Sequence, residues 1–259
     1  YSSRILTSKG KFVPLLEKKL KKALGVKYLC LTCNGTIALE IALKVLKIKS
    51  GVLLSPFSYV STPNACNWLN LKTYFTDIEE KNYSIDIKKI NKNLLKKIDC
   101  IMPTHVFGIN ANINELRKFA KKNNKKIIYD AAHCFGIKYR GKSILNNGDA
   151  SILSLQATKI FNTCEGGAII LKNKKDYLFA RRLINIGYNY YDTRDENPTE
   201  GINAKMSELN AAWGLALLPK INKIIDQKKK IYKYYLKNLN QQKFLIINKN
   251  RNNNYNYVP

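Results

Sequence analysis

Apolar and polar positions along the chain switch repeatedly between two periods. Apolar residues at 12, 13, 15, 16, 20, 23 and 24, with lysines between them, predict an amphipathic helix over Phe12–Leu24. The short apolar run Tyr28–Thr32 reads as a strand, and helical spacing returns at Ile37, Ala38, Leu39, Ile41, Ala42, Val45 and Leu46. The same alternation continues: a strand at Gly51–Leu54, a helix from the turn at 55–59 to about Leu69, and a strand at 71–75. A lysine-rich helix is predicted over 86–96 and a strand over 98–103; Asn112 and Glu115 then read as a capping box before another helix. Strands follow at 126–129, 151–154 and 168–171, and a helix at 177–186. After a polar loop at 189–201, one helix opens at 203–208 and runs to Leu217, and a long one covers Ile221–Leu239. A short apolar run at 244–247 precedes an Asn-rich end, and no internal repeat is visible.

Strands alternating with helices predict an α/β domain, a mainly parallel sheet flanked by helices. In such sheets ligands bind beyond the carboxyl ends of the strands. Asn34-Gly35-Thr36, Tyr59, His105, Asp130 and Lys159 each lie just after a predicted strand. Asn34-Gly35-Thr36 opens a helix, which makes it either an anion site or a plain N-cap. Neither G-x-G-x-x-G nor a P-loop occurs, so the nucleotide folds that depend on them are excluded.

Composition changes this picture little. The net charge of +27 suggests nucleic acid, but only seven of the 45 basic residues are arginine. The lysines are spread over many helices among Asn and Ile, as in a whole-chain bias rather than a binding patch. A basic nucleic-acid-binding protein is the competing class, and nucleic acid is not the expected partner. No run of 18 apolar residues occurs, so no membrane partner is expected. Cys30-x-x-Cys33 lacks a second cysteine pair, and His105 and His133 are the only histidines, so no metal site is expected. Cys30 lies in an apolar strand and reads as core; the cysteine usage suits a reducing cytoplasm. Because the chain begins with Tyr1 and stops at Pro259, we expect both ends to be missing.

The most informative stretch runs from Ser151 to Leu171. An apolar run ends at Ser154, a polar turn carries Thr158 and Lys159, and Gly166-Gly167 leads into a second apolar run. A lysine placed there is a candidate for a Schiff base with an aldehyde cofactor, against the plain alternative of a solvated loop lysine. For pyridoxal phosphate (PLP) the other requirements are concrete. A carboxylate must hold the pyridine nitrogen protonated, helix N-terminal donors must grip the phosphate, and an aromatic ring must cover the pyridine face. Asp130, Gly35-Thr36 and Tyr59 are the candidates. Asp130 could equally be an N-cap, and Tyr59 a partly buried aromatic with its hydroxyl outward.

The ordered set Asn34-Gly-Thr36, Pro56-Phe-Ser-Tyr59, Asp130-Ala-Ala-His133, Ser154-Leu-Gln-Ala-Thr-Lys159, Glu165-Gly-Gly167 and Gly201-Ile-Asn-Ala-Lys-Met206 resembles the DegT/DnrJ/EryC1/StrS family. The opening Leu6-Thr-Ser-Lys-Gly-Lys-Phe-Val13 with Leu16-Glu17 resembles that family's entrance, and the likeness runs from about residue 4 to 218. It implies the type I aminotransferase fold: a large PLP-binding domain over 1–219, then a connecting helix and the start of a small C-terminal domain over 220–259. That small domain is expected to be mostly missing, with residues 254–259 resembling its first strand.

The resemblance also implies roles. Lys159 would bind the cofactor and shuttle the proton, and Asp130 would pair with the pyridinium. Tyr59 would stack on the ring, with His133 beside it on the Asp130 side. Gly35, Thr36 and Ser154 would hold the phosphate, and Asn203 would reach the phosphate of a neighbouring subunit in a homodimer with shared sites. The implied reaction is transamination of a nucleotide-linked keto sugar, a dTDP-4-keto-6-deoxyhexose or its 3-keto isomer. Glutamate is the expected donor, in amino-sugar synthesis for cell-surface glycans such as O-antigen. Gln156 stands where the family often has His, and Lys205 where it often has Arg. Members that deoxygenate sugars replace the lysine by His, so Lys159 favours amino transfer; an inactive relative that keeps the fold is the remaining alternative.

Overall fold

The computed structural model describes residues 10–189, 198–239 and 254–259. The family-like opening at Leu6, the run at 244–247 and most of the loop at 189–201 lie outside the described residues. The first half contains α1 (Phe12–Leu24), β1 (Tyr28–Thr32), α2 (Gly35–Val45), β2 (Gly51–Leu54), α3 (Ser61–Trp68), β3 (Lys72–Phe75), β4 (Cys100–Ile101), α4 (Ile113–Lys122) and β5 (Lys126–Asp130). A small hairpin, β6 (Lys138–Tyr139) and β7 (Lys142–Ser143), then leads to β8 (Ala150–Ser154), β9 (Gly167–Leu171), α5 (Lys174–Ile184), α6 (Glu208–Leu217) and α7 (Ile221–Leu239).

The main sheet has seven strands in the order β1-β9-β8-β5-β4-β2-β3. All neighbours are parallel except those of β9, which runs antiparallel to both β1 and β8. The loop from β8 to β9 carries no helix to bring the chain back across the sheet, so β9 returns beside β8 in the opposite direction. Lys159 sits on that return loop.

The central strands are apolar along their length because both faces are covered. Their side chains alternate between two cores. Leu29, Leu31, Leu53, Ile127, Tyr129 and Ile170 face the side covered by α1, α4 and α6. Cys30, Val52, Leu54, Ile128, Ile169 and Leu171 face α2, α3 and α5. Cys30 is core, as expected. α1 stops where Gly25 takes a left-handed conformation (φ 63°) that lets its N–H reach the Lys21 and Lys22 carbonyls. At its other end the Glu208 carboxylate accepts the N–H groups of Phe12 (2.8 Å) and Val13 (3.0 Å), fastening the first helix to α6. Behind α1, buried Glu17 accepts the Leu31 N–H (3.0 Å) and pairs with Arg181 (2.9 Å), tying α1, β1 and α5 together.

Several local expectations are corrected. Residues 86–96 form two short 3₁₀ turns, Ile87–Lys89 and Lys92–Lys96, not one helix. Asp86 and Asn91 each accept an N–H two residues on, and buried Ile90 between them is extended. The strand at 98–103 shrinks to Cys100–Ile101. Asn112 precedes α4, but its side chain makes no capping bond. α6 starts only at Glu208, capped by Ser207, because 203–206 is held extended: Asn203 bridges Asn185, and Ala204 accepts the Cys33 N–H at 2.8 Å. Residues 254–259 form no strand.

Candidate functional site

Parallel β8, β5, β4 and β2 end at one edge of the sheet, and β1 ends there too because antiparallel β9 separates it from β8. In the register of these strands Gly167, the first residue of β9, lies opposite both Thr32 and Ser154. This places the Asn34-Gly35-Thr36 turn against the end of β8. A Cβ on Gly35 would lie 3.3 Å from Ser154 Cβ, and one on Gly167 would lie 2.3 Å from the Asn34 carbonyl oxygen. Both glycines let backbone approach this corner closely. Asn34 Oδ1 accepts the Ile37 N–H (2.8 Å), so the N–H groups of Gly35 and Thr36, which have no partner within the helix, face outward from its N-terminus.

Asp130 ends β5 and is buried, 6% exposed. Its Oδ2 accepts the Thr62 hydroxyl at 2.7 Å and its Oδ1 the Ala132 N–H at 3.1 Å. Burial raises the Asp130 pKa above the ordinary carboxylate value; the bonds from Thr62 and Ala132 and the charge of Lys159 pull it part of the way back. Three residues on, His133 Nδ1 accepts the Phe107 N–H at 3.1 Å, which puts the ring proton on Nε2. Burial, assisted by the Lys159 charge, pushes the His133 pKa down to about 4, so the ring is neutral. Lys159 thus acts electrostatically on both Asp130 and His133. Its own amine donates to the Tyr257 hydroxyl at 3.3 Å.

The candidates fall into groups. Gly35 and Ser154 are in direct apposition, with half-buried Thr36 on the same turn. Asp130, His133 and Lys159 form an electrostatically linked set. Tyr59, just before α3, is 73% exposed and makes no ring contact among the described residues. Asn203 is exposed, next to the residue that accepts the Cys33 N–H. His105 is structural. Its ring stacks on Tyr129 (4.7 Å), its Nδ1 accepts the Ala111 N–H (3.0 Å), and its main-chain N–H donates to the Asp130 carbonyl (2.9 Å).

Two residues here were not foreseen. Thr62, one helical turn beyond Tyr59, was signalled only by being a hydroxyl beside a helix start. Tyr257 gave no signal, because nothing local places it near Lys159.

The chain matches the DegT/DnrJ/EryC1/StrS aminotransferase family over residues 1–258. It belongs to that family. Family relatives include the dTDP-4-amino-4,6-dideoxy-D-glucose transaminase of Shigella dysenteriae, 37% identical over all of this chain and 71% of its own length. The GDP-perosamine synthase of Escherichia coli O157:H7 is 29% identical over 91% of this chain and 65% of its own. Among solved structures, DesI crystallised with its TDP-sugar product superimposes with a TM-score of 0.91 at 28% identity, covering 99% of this chain and 66% of that one. The mostly parallel seven-stranded sheet flanked by helices is therefore the aminotransferase fold expected from the sequence. No helix among the described residues is long and apolar enough to cross a membrane.

Proposed function

We propose that this aminotransferase-family chain moves an amino group from an amino acid to the keto carbon of a nucleotide-linked 6-deoxyhexose, with pyridoxal phosphate as cofactor. The observation that carries the reading is the convergence of Asp130, His133 and Lys159 beside the Gly35–Ser154 corner, at one edge of the sheet. The donor set fits the cofactor. A buried carboxylate with two hydrogen-bond donors suits a pyridinium, a side-chain-free helix N-terminus with nearby hydroxyls suits a phosphate, and the Lys159 charge acts on that carboxylate.

When bound, PLP supplies an aldehyde that takes up amines and a ring that accepts an electron pair. Lys159 would be the amine that binds the aldehyde, and its free amine would carry the proton between the donor's α-carbon and the cofactor's aldehyde carbon. Asp130 would pair with the ring nitrogen and hold it protonated, and that positive charge would in turn stabilise its carboxylate. Gly35 and Thr36, through backbone N–H groups and a hydroxyl, and Ser154, through its hydroxyl, orient the phosphate. Neutral His133 offers its Nε2 proton as a donor on the Asp130 side, and Tyr59 covers the exposed ring face.

The 37% identity to a dTDP-4-amino-4,6-dideoxy-D-glucose transaminase favours a dTDP-linked 4-keto-6-deoxyhexose as acceptor; glutamate is the donor this reading proposes. The reading includes a cytoplasmic homodimer in which Asn203 serves the neighbouring subunit's phosphate. Its support is the exposure of Asn203 and of the apolar side chains Tyr59, Val60, Ile186 and Ile202. Residues 1–219 would then be the large domain and 220–259 the connection to a smaller one.

The test is amino transfer from glutamate to a panel of nucleotide keto sugars, with borohydride labelling of the cofactor-loaded protein. Lys159→Ala should abolish transfer and labelling while leaving the circular dichroism spectrum unchanged. Turnover by that variant would refute the reading.

A further inference from the structure

The segment after α7 is stitched to both loops of the site. Buried Asn254 donates through Nδ2 to the carbonyls of His133 (2.9 Å) and Phe135 (3.1 Å), on the loop after Asp130. Asn256 donates through Nδ2 to the Thr158 carbonyl (3.3 Å), on the loop that carries Lys159. Asn256 N–H closes back on Asn254 Oδ1 at 3.3 Å, which fixes the turn between the two anchors. Tyr257 follows directly. Its ring lies 4.5 Å from the His133 ring and 5.6 Å from that of Phe107, and its hydroxyl accepts from Lys159 Nζ at 3.3 Å. Three anchoring asparagine bonds to main-chain carbonyls thus deliver one phenol oxygen to one lysine.

We propose that Tyr257 is a positioning residue for the Lys159 amine. Its hydroxyl receives that amine whenever the amine is free of the cofactor and holds it beside the Asp130–His133 loop. A lysine side chain has four rotatable bonds, and a free amine would otherwise sample many positions. Amino transfer frees the lysine in every turnover, so the position of the released amine matters each time. The proposal rests on Lys159 being the cofactor-binding lysine.

The test uses the full chain in three forms: wild type, Tyr257→Phe and Asn254→Ala. Borohydride labelling of wild-type holoenzyme comes first; label on another residue would overturn both the functional reading and this proposal. Each protein is then stripped of cofactor and trace-acetylated, and each lysine is quantified by peptide mapping. Tyr257→Phe keeps the ring on His133 and removes only the acceptor. It should raise acetylation of Lys159 about three- to tenfold, the size of one lost hydrogen bond, with the other lysines unchanged. Asn254→Ala, which keeps the tyrosine itself but releases its anchor, should raise it as well. In the holoenzyme Tyr257→Phe should lower kcat about three- to tenfold at unchanged KM for the amino donor. Wild-type Lys159 labelling in both variants, with borohydride label still on Lys159, would overturn the proposal and leave the functional reading standing.

Discussion

The Thr62 hydroxyl donates to Asp130 Oδ2 across 2.7 Å, joining the first turn of α3 to the end of β5. Thr62 is fully buried, so Thr62→Val keeps the shape and deletes the donor. Because this bond lowers an Asp130 pKa that burial has raised, its loss should move that pKa further up. The acid limb of the pH–rate profile should therefore shift to higher pH in Thr62→Val. In cofactor-free protein the raised pKa has a second consequence. The folded state binds the Asp130 proton more tightly than the unfolded state, so this contribution to stability is present at low pH and lost as pH rises through the folded pKa. Asp130→Asn should remove that loss, raising the Tm of the cofactor-free protein at pH 7 while lowering kcat by about a hundredfold or more.

The two buried histidines act in the opposite direction. His105 is pushed down to about 3 and His133 to about 4, in each case chiefly by burial. Unfolding releases both to the ordinary value of about 6.5, so between that pH and 4 the unfolded chain binds protons that the folded chain refuses. Stability should fall as pH drops through this window. Urea unfolding at pH 7.5 and pH 5 should show a lower midpoint at pH 5, and the His133 ring signals in NMR should not titrate between pH 8 and 5.

The corner that presents Gly35 depends on Gly167. An alanine there would place Cβ 2.3 Å from the Asn34 carbonyl oxygen and 2.5 Å from its carbon, both main-chain atoms that cannot swing away. Gly167→Ala should cost about 1–3 kcal/mol in urea unfolding and weaken cofactor binding by displacing the start of α2. Gly35→Ala meets Ser154 Cβ at 3.3 Å, a contact relieved by a small shift, so its stability loss should be the smaller of the two.

Arg181 and Glu17 form an ion pair in which each side chain is about one-tenth exposed. Arg181→Met would strand a buried carboxylate and should cost about 3–5 kcal/mol, read from urea unfolding. Adding Glu17→Gln should restore part of this, since the amide carries no charge and its oxygen can still accept the Leu31 N–H.

Much of this protein was legible in one dimension. Period-2 and period-3.6 spacing depend on local geometry alone, so α1, β1, β2 and α7 fall where the pattern puts them. Strand ends are also local, and placed Asp130, Gly35-Thr36 and Lys159 at candidate positions before any contact was known. The helix expected over 86–96 failed for a local reason, the Asp86 and Asn91 side-chain bonds, whereas the one expected to open at 203 failed for a reason outside the segment. Residues 203–206 are expected to open the helix that runs to Leu217, but pairing with Asn185 and Cys33 keeps them extended. The antiparallel course of β9, which sets Gly35 against Ser154, is a property of the sheet rather than of any strand. Thr62 reaches Asp130 across 68 residues and Tyr257 reaches Lys159 across 98. The sequence by itself determined most of the elements, the family and the candidate side chains, because these depend on residue type and near-neighbour spacing. Only the tertiary structure decided which donors hold the carboxylate, which tautomer His133 adopts and where the lysine amine rests. Each of these is set by atoms that meet through packing rather than through the chain.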